Sequence, residues 1–377
     1  MRHTLLTLAA LLWASATPLA AQATGQQAQA KSEWLISERT ALLKLAGVGF
    51  PTEPGGLAIT DTRDFSHPGE AIDAAILYES GDRQVFATAY VYLPGLAHSG
   101  IAALATDWSI RSNSTSPVQA LGSSDIRVAG VEGAAIRTAY DRYRGTLTSR
   151  AGFVKAGRYL VKLRVSGPEA RRKDVDAAFD DLAAGIQVGS DKFVYPAAPV
   201  AVGPCATAET PKAARRKPAS SAEVAALALF ATFDGSGMIA REVAGGTTPL
   251  PSRVPTSLCS AKLSSGHLVL RAEPGPAAAF EGRTRLLVIL SDGGEMLEVV
   301  ETANFGHVML HHRIGGTAIL SAWDGVPAND QIERMLTGAD RDATKVLATV
   351  VLRPDKGAEI NIAVPPDPRL PRDHGTR

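Results

Sequence analysis

Apolar and polar positions alternate along much of this chain with the period of two that marks a half-buried strand, and in only a few places with the period of a helix. From Gln84 to Tyr92, Val85, Ala87, Ala89 and Val91 alternate with Phe86, Thr88, Tyr90 and Tyr92. The run Ala71 to Tyr78 precedes it, and the polar turn Glu79-Ser80-Gly81-Asp82-Arg83 between the two predicts a hairpin. Ala135 to Tyr143, Gly145 to Lys155 and Tyr159 to Val165 read as a second antiparallel group. There Tyr159, Val161, Leu163 and Val165 share one face, while Lys162 and Arg164 share the other. Ser37 to Leu45 reads as a short helix ending near Gly47, and Ser99 to Arg111 as another. Ser166-Gly167-Pro168-Glu169 has the capping-box pattern with proline in the first turn. Behind it, Val175, Phe179, Leu182 and Ile186 fall on one face of a helix that should lie across the preceding strands.

The second half opens on another capping box, Ser220-Ser221-Ala222-Glu223, and an apolar helix to Phe233. Strands follow at His267 to Ala272, Arg285 to Leu290, Glu295 to Glu301, His307 to Ile314 and Thr317 to Trp323. Ser291-Asp292-Gly293-Gly294 and Gly315-Gly316 are hairpin turns between them. A short helix near Asn329 to Leu336, then Val346 to Leu352 and Ala358 to Val364, complete the pattern. The fold class expected is α+β: two modules, each a mostly antiparallel sheet with packed helices, joined by a Pro/Ala-rich linker. The boundaries are 1–23 for a signal peptide, 24–33 for a polar spacer and 34–190 for the first module. The linker covers 191–219, the β-rich second module 220–364, and a proline-rich disordered tail 365–377. The linker's Lys212, Arg215, Arg216 and Lys217 read as a solvated run.

The N-terminus sets the expected compartment. Arg2 precedes an apolar run from Leu5 to Ala14, Pro18 breaks it, and Leu19-Ala20-Ala21 and Ala21-Gln22-Ala23 fit small-x-small cleavage sites. The run is too short to anchor in a bilayer, and no later stretch reaches spanning length without charges. The protein is therefore expected to be exported, soluble and periplasmic. In an oxidising compartment Cys205 and Cys259, the only cysteines, form a plausible disulfide. With Lys+Arg 39 against Asp+Glu 38, the chain has no net field to hold nucleic acid. Aromatics at 6% weaken any base-stacking role further.

Catalytic motifs are missing from the sequence. It contains no phosphate loop, dinucleotide fingerprint, His-Glu-x-x-His, Cys-x-x-Cys, Gly-x-Ser-x-Gly or Ser-x-x-Lys of the penicillin-recognising kind. Gly235-Ser236-Gly237 reads as a turn, and the sequon Asn113-Ser114-Thr115 as chance. No cofactor is implied. His307 and His311 share a strand face about 13 Å apart at ~3.3 Å per residue, too far for one ion unless the strand bends. His267 on a neighbouring strand would have to complete a metal site with one of them; the alternative is an ordinary polar strand face. Phe86, Tyr90 and Tyr92, with Trp108, form a second candidate. Stacked aromatics on a sheet bind sugars or apolar ligands, or else form core under a helix.

Arg158-Tyr159-Leu160-Val161-Lys162-Leu163-Arg164-Val165, leading into the helix Pro168 to Ile186, resembles the end of a PsbP/Mog1-type α+β domain as found in exported bacterial proteins. The hairpin ending Tyr90-Val91-Tyr92 adds to the resemblance, which covers roughly residues 50–188. It implies a non-enzymatic binding or assembly module with no shared active-site residues. The leading expectation is thus a module that binds an envelope protein or component. The alternatives are a hydrolase with its site in the cleft between modules, and a structural or envelope-stress protein without ligand.

Overall fold

The computed structural model describes residues 34–66, 72–114, 116–189, 194–197, 199–205, 213–218, 223–225, 227–228, 254–272, 283–302, 306–354 and 357–362. The signal peptide, the spacer, the tail, the Ser220 capping box, the Gly235 turn, Thr115 of the sequon and part of the linker lie outside them.

Three sheets carry the described residues. The smallest joins β1 (Trp34–Ile36), β2 (Thr40–Leu43) and β3 (Val48–Pro51) to β11 (Gln187–Val188). The second comprises β4 (Ala58–Asp64), β5 (Asp73–Glu79), β6 (Phe86–Tyr92), β7 (Gln119–Val128), β8 (Val131–Tyr143), β9 (Leu147–Ala156) and β10 (Tyr159–Pro168). Its order is β4-β5-β6-β10-β9-β8-β7, with β12 (Val194–Tyr195) also paired to β9. Helices α1 (Ser99–Ser112) and α2 (Arg172–Ala184) follow β6 and β10.

The third sheet holds β13 (Ala201–Pro204), β14 (Arg216–Lys217), β15 (Ser257–Lys262), β16 (Leu268–Arg271), β17 (Arg283–Ile289), β18 (Met296–Thr302), β19 (Gly306–Arg313) and β20 (Gly316–Trp323). Helix α3 (Asn329–Leu336) precedes its last strands, β21 (Ala348–Arg353) and β22 (Gly357–Ile362). From β15 to β22 it is an antiparallel meander; β13 adds parallel to β15, and β14 pairs with β20.

The expected α+β class is corrected to mostly β, with three sheets in place of two. One expected helix is strand, and another starts later than expected. At Ser37 the side chain accepts from Thr40 N–H while its hydroxyl donates to Thr40 O. That closes a β1–β2 hairpin, in which Ala41 and Leu43 bury on alternate positions. At the supposed capping box, β10 continues through Ser166↔Ser149, Gly167↔Thr148 and Pro168↔Leu147, so the helical path begins with a 3-10 turn at Glu169–Arg171 and α2 follows from Arg172. The Ser166 hydroxyl is bonded to that of Ser149 at 2.8 Å. Strands β4, β7 and β15 add to the excess, in stretches whose alternation is faint because they bury at most one side chain each.

The predicted face of α2 holds. Val175, Phe179 and Leu182 are fully buried against Ala87, Ala89, Val161, Leu163 and Val165. Phe179 sits so close to β9 that a Cβ on Gly152 would come within 2.9 Å of its ring. Helix α1 is buried on two sides. Ala102 and Ala103 pack on the second sheet with Phe153 and Leu160, while Ile101 and Ala105 pack with Leu258, Leu287 and Ile289 of the third. On the far side of the third sheet α3 buries Ile332 and Met335 against Val288, Met309 and Trp323.

Backbone bonds join the two large sheets. Gly95 N–H donates to Arg313 O at 2.9 Å, and Gly315 N–H to Leu93 O at 2.7 Å. The approach is close enough that a Cβ at Gly95 would lie 2.4 Å from Gly316 O. Cys205 and Cys259 form a disulfide, which fastens the end of β13 to β15.

Candidate functional site

Register places side chains of the second sheet in rows on the face that α1 crosses. Glu79, Phe86, Ser166, Ser149 and Tyr140 form the outer row, and Leu77, Thr88, Arg164, Ala151 and Thr138 the next. Ala75, Tyr90, Lys162, Phe153 and Ile136 follow, then Asp73, Tyr92, Leu160 and Lys155. Helix α1 covers Ile136, Ala151, Phe153, Leu160 and Tyr92. It leaves a ledge at the Phe86 corner, where Phe86 is 42% exposed and Thr88, Tyr90 and Arg164 are half-buried.

The four aromatic residues singled out from sequence therefore divide. Phe86 and Tyr90 line the ledge, whereas Tyr92 is core beneath α1 and under the 291–294 turn, 3.3 Å from a Cβ built on Gly294. Trp108 lies apart, stacked on His267 with ring centres 6.4 Å apart.

The β8–β9 connection closes the ledge with cations. Arg142 and Arg144 adopt left-handed backbone (φ 55° and 50°), a region costly for side chains other than glycine. Arg142 N–H is held by Glu169 Oε1 at 2.9 Å. This geometry brings Arg144 over the Tyr143 ring, 5.3 Å from its centre, while Arg164 lies 4.6 Å from the same centre. Neither guanidinium has a carboxylate partner among the described residues, and Arg164 Nη2 is buried without a hydrogen bond.

Lys162 lies beside them, 6% exposed, and donates to Asp292 Oδ2 at 2.8 Å. Burial pushes its ammonium below the usual lysine range; Asp292 opposes this, and Arg164 adds to it. Further along, burial and then Asp64 push the Asp73 carboxyl up to about 6. Burial, then Asp292 and Asp73, push the Tyr92 phenol up, and its hydroxyl has no hydrogen-bond partner among the described residues. The shifted groups Asp73, Tyr92 and Lys162 thus gather where the second sheet meets the 291–294 turn of the third.

The three histidines offered as metal ligands stand in separate surroundings. His267 Nδ1 bonds Ser265 Oγ at 2.9 Å, and His311 Nε2 bonds Glu295 Oε1 at 2.9 Å. His307 is opposite Glu301 and Trp323 in the ladder, and its pKa is lowered chiefly by burial. Among the described residues no three His, Cys, Asp or Glu side chains are grouped to hold a metal ion.

Sequence reasoning missed His312. It is buried, with Nε2 2.7 Å from Glu298 Oε2 and Nδ1 2.9 Å from Thr317 Oγ1. The arrangement resembles a hydroxyl–imidazole–carboxylate relay. The Gly95 backbone closes it, however: a single added Cβ there would lie 2.5 Å from Thr317 Oγ1, so no substrate reaches the hydroxyl. Residues two apart on paired strands predict such diagonal contacts only once the register is known.

A groove of about 500 Å³ lies between the β7–β8 hairpin and α2. Its cations are internally neutralised. Arg150 Nε bonds Asp176 at 2.7 Å, and Arg137 bonds Asp176 at 2.6 Å and Asp180 at 3.0 Å. Arg137 also covers the Phe179 ring at 4.9 Å. This network clamps α2 to β8 and β9, whereas Arg144 and Arg164 of the ledge have no carboxylate partner among the described residues. Compared with known proteins, the chain matches no protein-family model and no curated protein.

Proposed function

We propose that this protein is an exported, periplasmic binding module without enzymatic activity, and that it takes an envelope component on the ledge formed by Phe86, Tyr90, Tyr143, Arg144 and Arg164. One observation carries the reading. Two guanidiniums share one tyrosine ring, Arg164 at 4.6 Å and Arg144 at 5.3 Å, with no carboxylate among the described residues paired to either. Like charges held together destabilise the free protein, and a bound ligand of opposite charge relieves that repulsion. The half-exposed aromatic side chains beside them supply apolar contact area that water does not satisfy. The signal-peptide pattern of residues 1–23 and the Cys205–Cys259 bridge support export to an oxidising compartment. The resemblance to PsbP/Mog1-type domains, mainly non-enzymatic, supports a binding role.

Native mass spectrometry on protein purified from its own envelope tests the proposal. The wild-type chain is expected to carry an additional bound mass that the double variant Arg144→Gln/Arg164→Gln lacks. A bare mass in both proteins, or an adduct untouched by the double substitution, would overturn it.

A further inference from the structure

We propose that the ligand of the ledge is an acidic glycan, a chain of sugar rings bearing carboxylates; this rests on the reading of the protein as a binding module.

Charge is the first argument. Arg144 and Arg164 lack carboxylate partners among the described residues, whereas the buried Lys162 beside them is already paired with Asp292. Guanidiniums pair with carboxylates through two parallel N–H donors, which fixes orientation as well as sign. The outer-row carboxylate, Glu79, is already bonded to Arg83 Nε at 3.2 Å.

Shape is the second. Phe86, Thr88 and Tyr90 point to one face of β6, and the first and last are about 13 Å apart at ~3.3 Å per residue. A run of that length suits an elongated ligand better than a single small anion. The exposed ring of Phe86 and the part-exposed ring of Tyr90 offer flat apolar surfaces to the C–H faces of sugar rings. The Thr88 hydroxyl and the phenols of Tyr90 and Tyr143 offer hydrogen bonds along the same path.

Backbone accounting separates a glycan from a polypeptide. Strand β6 is paired to β5 and β10, and β10 to β6 and β9, so their N–H and C=O groups are spent within the sheet. An extended peptide laid on this face finds no ladder to join and leaves its own amides unpaired over aromatic rings. A sugar chain has no amide ladder to satisfy, and its outer hydroxyls stay in water.

Calorimetric titration of the full chain with three probes tests the class: tetragalacturonate, its neutral counterpart galactotetraose, and tetraglutamate. The wild-type protein is expected to bind tetragalacturonate at least about tenfold more tightly than either of the others, with affinity falling as salt rises. Arg144→Gln/Arg164→Gln is expected to lose about tenfold or more on tetragalacturonate. Arg144→Gln alone, at an exposed turn, gives an intermediate loss and guards against a misfolded double variant. Equal binding of tetraglutamate or of galactotetraose would overturn the glycan assignment. If the native protein then carries a non-carbohydrate adduct that the double variant lacks, the binding-module reading survives that failure. If no probe binds and the native protein is bare, both readings fall.

Discussion

Asp73 shows how a single side chain is set by its surroundings. Its carboxyl is raised from 3.8 to about 6, mainly by burial and secondly by Asp64. The folded state therefore holds the proton more tightly than the unfolded chain. The stability this provides is complete below about pH 4 and is lost as the pH climbs through about 6. Asp73→Asn removes that dependence. In thermal melts the variant should gain on the wild type between pH 4 and 6.5 and hold a constant lead above that range. A lead independent of pH would contradict the assignment. Strand period places Asp73, Tyr92, Leu160 and Lys155 in one row once the register is fixed. It does not tell which end of a row lies under α1. For that reason Phe86 and Tyr92, alternating identically in the sequence, end as an exposed ring and a buried one.

Among the elements, α2 was the most legible. Its apolar positions repeat with helical spacing, and each buries on the sheet as that spacing requires. Phe179 is the centre of this contact, fully buried between Gly152 and the Arg137 guanidinium. Phe179→Ala should lower stability by about 3–5 kcal/mol, read from the midpoint shift in urea unfolding. A shift below about 1 kcal/mol would mean that α2 is held by its Asp176 and Asp180 ion pairs instead. The start of α2 was less legible. Ser166-Gly167-Pro168-Glu169 satisfies a local rule for a helix start, but pairing of β10 with β9 and the Ser149–Ser166 bond keep Ser166 to Pro168 extended, and the helical turns start only at Glu169. The hairpin of β1 and β2 makes the same point: Thr40 and Ser37 bond one another across a turn where propensity alone allows a helix.

In the whole molecule, the two large sheets share α1, and the Leu93–Gly95 segment hydrogen-bonds to Arg313 and Gly315. The Cys205–Cys259 bridge adds a covalent tie across a separation of 54 residues. Chain-entropy arithmetic for a loop of this length gives about 4 kcal/mol at most. Cys205→Ser/Cys259→Ser should accordingly lower stability by up to that amount, and denatured wild-type protein without reductant should show no reactive thiol. Two thiols per chain would refute the bridge.

The amino-acid sequence by itself determined the second-half strands from His267 onward, the apolar stripe of α2, the α1 span and the pairing of the only two cysteines, because each is a local periodicity or a count. It did not determine the mostly-β class, the small sheet of β1, β2, β3 and β11, the sealed His312–Glu298 pair or the cationic ledge. Those depend on which strands become neighbours and on where a helix crosses them. The side chains that then meet, such as Arg144 and Arg164 on Tyr143, are separated in sequence by a hairpin and joined only by its register.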